Sequence, residues 1–141
     1  MTSPHTYTVV VGVDGSEPSK AALRWAVRHA NKFGGRIKAV QTWDVPTSYD
    51  WSMPGLQNLG EETEKSLAET VREVAGDSTA PIDRSVSRGH PTRALLDVAH
   101  ESGAELIVVG NRGHGGFASV LLGSVSQHLV NHADRPVVVV R

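Results

Sequence analysis

Glycines at 110, 113 and 123, with Ser124 directly after the last, form the pattern in this chain best suited to chemistry. The stretch runs Val108-Val-Gly-Asn-Arg-Gly-His-Gly-Gly-Phe117 and closes on Leu122-Gly-Ser-Val-Ser126. Glycine lets backbone N–H groups approach a ligand with no side chain in between. A helix beginning at Gly123-Ser124 adds amides without intrahelical partners and the positive end of the helix dipole. Ser124 with Gln127 fits the S-x-x-Q capping box, which places Ser124 at the N-cap. Together these features suit an anion, above all a phosphate.

A second marker lies near the N-terminus. Val11-Gly-Val-Asp-Gly-Ser16 ends an apolar run in a carboxylate, Asp14. A carboxylate at a strand end can accept hydrogen bonds from sugar hydroxyls; Asp-Gly-Ser can equally start a tight turn. Three other phosphate chemistries fit poorly. A dinucleotide fingerprint needs G-x-G-x-x-G after the first strand, and this segment lacks it. A Walker A loop needs a lysine before Ser124, where Gly123 follows Leu122. A phosphoacceptor receiver would need an acidic cluster where only Asp14 stands.

The spacing G-x2-G-x9-G-S, together with the Val11–Ser16 marker, resembles the ATP-binding branch of the universal stress protein family over nearly all 141 residues. The resemblance implies a single Rossmann-like α/β domain spanning 1–141, of the adenine nucleotide alpha hydrolase-like type. Its five-stranded parallel sheet would have order 3-2-1-4-5, with helices on both faces. It also implies roles. Val13 and Asp14 would meet the adenosine, and the backbone near Thr42 would border the adenine. Val109 and Gly110 would floor the sugar. The amides of Arg112, Gly113, Gly123, Ser124 and Val125 would hold the phosphates, with the hydroxyls of Ser124 and Ser126 assisting.

The elements that must position these residues follow from hydrophobic period. Thr8 to Val13 is almost wholly apolar, as in a parallel strand buried on both faces. From Pro18 to Phe33, Ala22, Leu23, Ala26, Val27 and Ala30 recur at helical spacing, and Lys20, Arg24, Arg28 and Lys32 fall opposite. Gly34-Gly35 ends that helix. Arg36 to Trp43 reads as a second strand. Asp44 to Gly60 is an irregular segment with Tyr49 and Trp51, longer than a usual βα loop, and is expected to form a flap beside the adenine. Glu61 to Ala75 is a charged helix. Ile82 to Ser87 suits a more exposed strand, and Pro91 opens the next helix. Glu105 to Val109 is a fourth strand, the last helix runs from about Val125 to His132, and Pro136 to Arg141 is a fifth strand. Strict β-α alternation means a parallel sheet with right-handed crossovers. In the order 3-2-1-4-5 that the resemblance implies, Asp14 and Gly110 end two strands that flank one crevice, where open α/β sheets bind ligands.

Composition narrows the function classes. Fourteen basic against fifteen acidic residues, net −1, contain no basic block that would mark nucleic acid. The chain has no cysteine, which excludes disulfide scaffolds and thiolate metal sites. No apolar run approaches the roughly 18 residues of a membrane span, and the start does not read as a signal peptide. A cytoplasmic location is expected. Seven histidines show no metal-ligand spacing; His128 and His132 are i, i+4 without an evident third ligand. His114 reads as a loop surface residue, and Trp25 and Trp43 as packing residues. The expected function is binding of ATP, with Mg²⁺ entering through its phosphates, in a regulatory, stress-linked role. Slow ATP hydrolysis or phosphotransfer is one alternative, and cyclic AMP binding on the same scaffold is another. Phosphoryl transfer needs cationic clamps and an oriented nucleophile. Arg112 and Asp14 alone are clear charged candidates, which favours binding over turnover. Four consecutive valines in the last strand predict a homodimer through an apolar sheet edge.

Overall fold

The computed structural model describes residues 5–45, 55, 58–112 and 123–141. Gly113 and His114 of the glycine loop, and Trp51 of the expected flap, lie outside the described residues. The order is β1 (Thr8–Gly12), α1 (Glu17–Phe33), β2 (Arg36–Trp43), α2 (Leu59–Ala75), β3 (Ile82–Arg88), α3 (Pro91–Ser102), β4 (Leu106–Gly110), α4 (Ser124–His132) and β5 (Val137–Val140). The strands form one sheet in the order β3-β2-β1-β4-β5. Every neighbouring pair is parallel, with Val9 opposite both Ile37 and Leu106, and Gly110 opposite Val140.

Why β1 carries no polar alternation is now plain. Val9 and Val11 enter the layer beneath α1 and α2, where they join Leu23, Ala26, Ile37, Leu67 and Val108. Val10 faces the other way, into the layer of Leu95, Ile107, Val109 and Leu129 beneath α3 and α4. Both faces of the central strands are covered, so both sets of side chains are apolar. Leu23, Leu67, Leu95 and Leu129, one from each helix, are fully buried, and each contributes about 1.5–3 kcal/mol.

Helix ends follow local chemistry. Ser16 caps α1, its side chain accepting the Ser19 N–H, and Pro18 lies in the first turn. Gly34 ends α1 at φ +72°, a left-handed conformation that glycine takes without a Cβ clash. Several sequence boundaries shift. α2 starts at Leu59 rather than Glu61, and its first turn lies beside the Trp43 indole; a Cβ on Gly60 would sit 3.4 Å from Nε1. β4 starts at Leu106, since the Glu105 carboxylate accepts the Thr8 N–H at 2.6 Å and pairs with His5. α4 starts at Ser124, so the capping box does not form. Gly123, extended at φ −69° and ψ 167°, is the N-cap, and its carbonyl accepts the Gln127 N–H.

Candidate functional site

The first βα turn is built by Asp14. Its Oδ1 accepts the Ser16 N–H at 2.9 Å and the Ser16 hydroxyl, while Gly15 takes φ +82°. The turn reading of Asp-Gly-Ser is therefore realised. It fixes the carboxylate at the carboxyl end of β1. Val13, only 4 % exposed, extends the sheet ladder by donating to the Val40 carbonyl at 2.8 Å. Thr42 lies two residues beyond Val40, level with Asp14, and is half-buried.

Gly110 brings the other marker alongside. A Cβ on Gly110 would stand 2.6 Å from the Pro18 carbonyl carbon and oxygen. The end of β4 therefore rests directly on the first turn of α1, which only a glycine permits. Val109 is buried and meets Gly12, whose Cβ would lie 3.3 Å from Val109 Cγ1. Beyond Gly110 the backbone is pinned twice: Asn111 N–H donates to Val140 O at 2.9 Å, and Gly123 N–H donates to Asn111 O at 2.6 Å. Gly123 thus lies against Asn111, which sets the start of α4 beside the carboxyl end of β4.

These bonds separate the phosphate candidates. The Gly123 amide is given to Asn111. The Ser126 side chain is buried and donates its one hydroxyl hydrogen to Gly110 O at 2.6 Å, so here it braces the loop. Ser124 is exposed and Val125 half-buried. Both are in the first turn of α4, where amides have no intrahelical acceptor. Arg112 is half-buried at the loop's exit.

Several residues near this end of the sheet escaped sequence reasoning. Gln41 Oε1 and Thr92 Oγ1 are buried without a hydrogen-bond partner; no sequence signal marks them. Arg88 reaches Asp44 at 3.4 Å and lies 5.9 Å over the Trp43 ring. The Asp44 carboxyl is held below its usual range by the Val45 N–H first and Arg88 second. His90 is the N-cap of α3, its Nδ1 accepting the Thr92 N–H at 3.2 Å. Its ring centroid is 5.7 Å from that of His128, which is 5.9 Å from His132. The fold thus supplies a third imidazole beside the pair seen in sequence. Among the described residues, however, no group of three His, Cys, Asp or Glu is placed to hold a metal.

The model of the universal stress protein family matches residues 6–141. A universal stress protein of Mycobacterium tuberculosis is 37 % identical over 150 residues, covering all of this chain and 47 % of the relative. One of Mycolicibacterium smegmatis is 33 % identical over 143 residues, covering 95 % of this chain and 48 % of the relative. The chain therefore spans about half the length of the curated relatives it matches. Among solved structures, the universal stress protein UspA of Lactobacillus plantarum superposes with a TM-score of 0.79 at 24 % identity, over 99 % of this chain and all of the other. A universal stress protein solved in complex with cyclic AMP superposes at 0.74 and 28 % identity, over 98 % of each. The sheet order agrees with these likenesses, and the family match spans nearly the whole chain: the chain belongs to the universal stress protein family.

Proposed function

We propose that this chain binds an adenine nucleotide, ATP foremost, and serves as a regulatory module in a stress response rather than as an enzyme. What supports the reading is that the carboxyl end of β4 rests on the first turn of α1, through the Gly110–Pro18 contact, and that α4 starts against the end of β4, through the Asn111–Gly123 bond. The fit is chemical as well as topological. The Ser124 and Val125 amides and the Ser124 hydroxyl suit phosphate oxygens, with Gly113 and Arg112 as further partners and Mg²⁺ entering through the phosphates. Asp14 suits ribose hydroxyls, and the Thr42 backbone the base. Val13, Val109 and Gly110 line the floor, and Ser126 acts through Gly110. Cyclic AMP is the second reading, favoured by the solved relative that holds it; a helix N-terminus with a glycine loop favours the more highly charged polyphosphate.

The same reading takes residues 1–141 as one working domain in the cytoplasm, paired with a second copy through β5. The two sheet edges support this pairing. β3 is guarded by Asp83, Arg84 and Arg88, whereas Val137–Val140 is uncharged and every valine is only half-buried. Mass spectrometry of protein purified without added nucleotide tests the ligand. ATP, or an adenine nucleotide derived from it, is the expected cargo. A guanine nucleotide, or a stripped protein that ignores ATP, contradicts the reading.

A further inference from the structure

Among the described residues, every buried hydroxyl but one has an acceptor. Thr8 donates to Thr6 O at 2.8 Å, Ser19 to Ser16 O at 2.9 Å, Thr70 to Ser66 O at 3.1 Å and Ser126 to Gly110 O at 2.6 Å. Thr92, only 8 % exposed, has no hydrogen-bond partner at its Oγ1. Its place on α3 explains why. A threonine within a helix bonds the carbonyl three or four residues back, as Thr63 bonds Leu59 O at 2.7 Å. For Thr92 those carbonyls belong to Gly89 and Arg88, ahead of the His90 cap, where Gly89 at φ +128° takes the backbone out of helical conformation. A buried hydroxyl without a partner destabilises the chain that carries it. Valine has nearly the same shape, a similar helix propensity and no such cost, so packing alone does not call for threonine here.

The direction of the side chain points to a ligand. α3 joins two parallel strands, so it runs against them and its first turn stands at their carboxyl ends. Leu95 marks the centre of its buried face: a Cβ on Gly12 of β1 would lie 3.2 Å from Leu95 Cδ1. Val98 is on the flank toward β2 and β3, where it lines a groove with Lys38, Asp83 and Ser85. At about 100° per residue, Val98 and Thr92 fall about 60° to either side of Leu95. Thr92 is therefore on the flank toward β4 and α4. On that side the His90 and His128 rings stand 5.7 Å apart between centroids. Thr92 is also about 4.5 Å nearer the carboxyl ends of the strands than Leu95. It faces the end of the β1–β4 pair, where the nucleotide reading places sugar and phosphates, and its proposed role rests on that reading.

We propose that Thr92 is a ligand contact: its hydroxyl donates to an oxygen of the nucleotide's ribose-phosphate portion, and this bond is the reason threonine rather than valine stands there. Hydroxyl and methyl share one carbon, so a χ1 step of about 120° brings the hydroxyl to the place of the methyl without moving α3. An oxygen carrying negative charge at this point also meets the positive end of α3.

Thr92→Val and Thr92→Ser test this, by urea denaturation without nucleotide and by calorimetric titration with ATP. Thr92→Val removes the orphaned hydroxyl, so its urea midpoint should equal or exceed that of wild type. Its Kd for ATP should nevertheless rise about two- to tenfold, the scale of one hydrogen bond. Thr92→Ser keeps the hydroxyl and should recover most of that affinity. Stability held or gained while affinity falls is a combination that a packing role does not produce. Adenosine locates the bond. A Kd ratio between Thr92→Val and wild type that persists with adenosine assigns it to the ribose, and one that disappears assigns it to phosphate; either upholds the contact. Equal ATP affinity in wild type and Thr92→Val overturns the inference and leaves the nucleotide reading standing. So does a Thr92→Val protein that loses stability, because the hydroxyl would then have its partner within the chain. A wild type that binds no ATP overturns both.

Discussion

Gly110→Ala tests the link between the two halves of the site. The added methyl would lie 2.6 Å from the Pro18 carbonyl carbon and oxygen and 2.8 Å from its Cβ. These are backbone and ring atoms, which cannot swing aside as a flexible side chain can. β4 and the start of α1 must therefore move apart, and overpacking of this kind costs about 1–3 kcal/mol. That is about 5- to 150-fold in the ratio of folded to unfolded protein. With a urea m-value of about 2 kcal/mol/M, the midpoint should fall by about 0.5–1.5 M at unchanged m. The same movement separates Asp14 from the start of α4, so ATP affinity should fall even where the variant is fully folded. Gly60→Ala is the control. Its methyl meets Trp43 at an ordinary 3.4 Å and gains helix propensity of up to about 1 kcal/mol, so the midpoint should hold or rise. A Gly110→Ala protein with wild-type midpoint and wild-type ATP affinity would refute the claim that this contact assembles the crevice.

Asp14→Ala should weaken ATP by about 1–3 kcal/mol through the lost charged acceptor, and should lower stability because Ser16 loses both its bonds to Asp14; an unchanged Kd reduces Asp14 to its turn. Ser126→Ala should cost about 1–3 kcal/mol in chemical denaturation, since the buried Gly110 carbonyl loses its partner, and a neutral effect would remove Ser126 as the brace. Replacing Val138 and Val140, or Val139 on the other face, by lysine should turn a sedimenting dimer into a monomer; a wild-type monomer at micromolar concentration, or a dimer that survives all the lysines, defeats the β5 pairing. Arg88→Gln should let the Asp44 carboxyl drift up toward its ordinary value while the Val45 bond keeps part of the depression. A depressed carboxyl stabilises above the unfolded pKa and loses that contribution as pH falls through the folded value, so the variant should lose its acid-side stability at slightly higher pH, and an Asp44 NMR titration identical to wild type would contradict this.

What the sequence disclosed was whatever a single segment decides. The apolar run of β1 follows from burial on two faces, the cap at Gly34 from its conformation, and the strict β-α alternation from the need to bury each strand before starting the next. The sheet order came from the resemblance, on two short motifs. What stayed hidden needed two segments at once. Gly110 reads as a loop glycine, yet its tight constraint is Pro18, far away in sequence. Ser126 and the Gly123 amide read as phosphate ligands until the structure commits their hydrogens to Gly110 and Asn111. The start of α4 was misplaced by one residue because extended Gly123 supplies the cap that Ser124's side chain seemed made for. His128 and His132 announced themselves by spacing, but His90 joins them only because α3 and α4 lie side by side.

Whether this crevice holds an adenine nucleotide by its base and its phosphates together is decided by calorimetric titration of nucleotide-stripped protein with ATP, adenosine and GTP. One ATP should bind per chain. Adenosine, which lacks the phosphates for α4, should bind more weakly, and so should GTP, which carries guanine in place of adenine. Folded protein that binds none of the three, or that binds GTP as tightly as ATP, would contradict the proposed site.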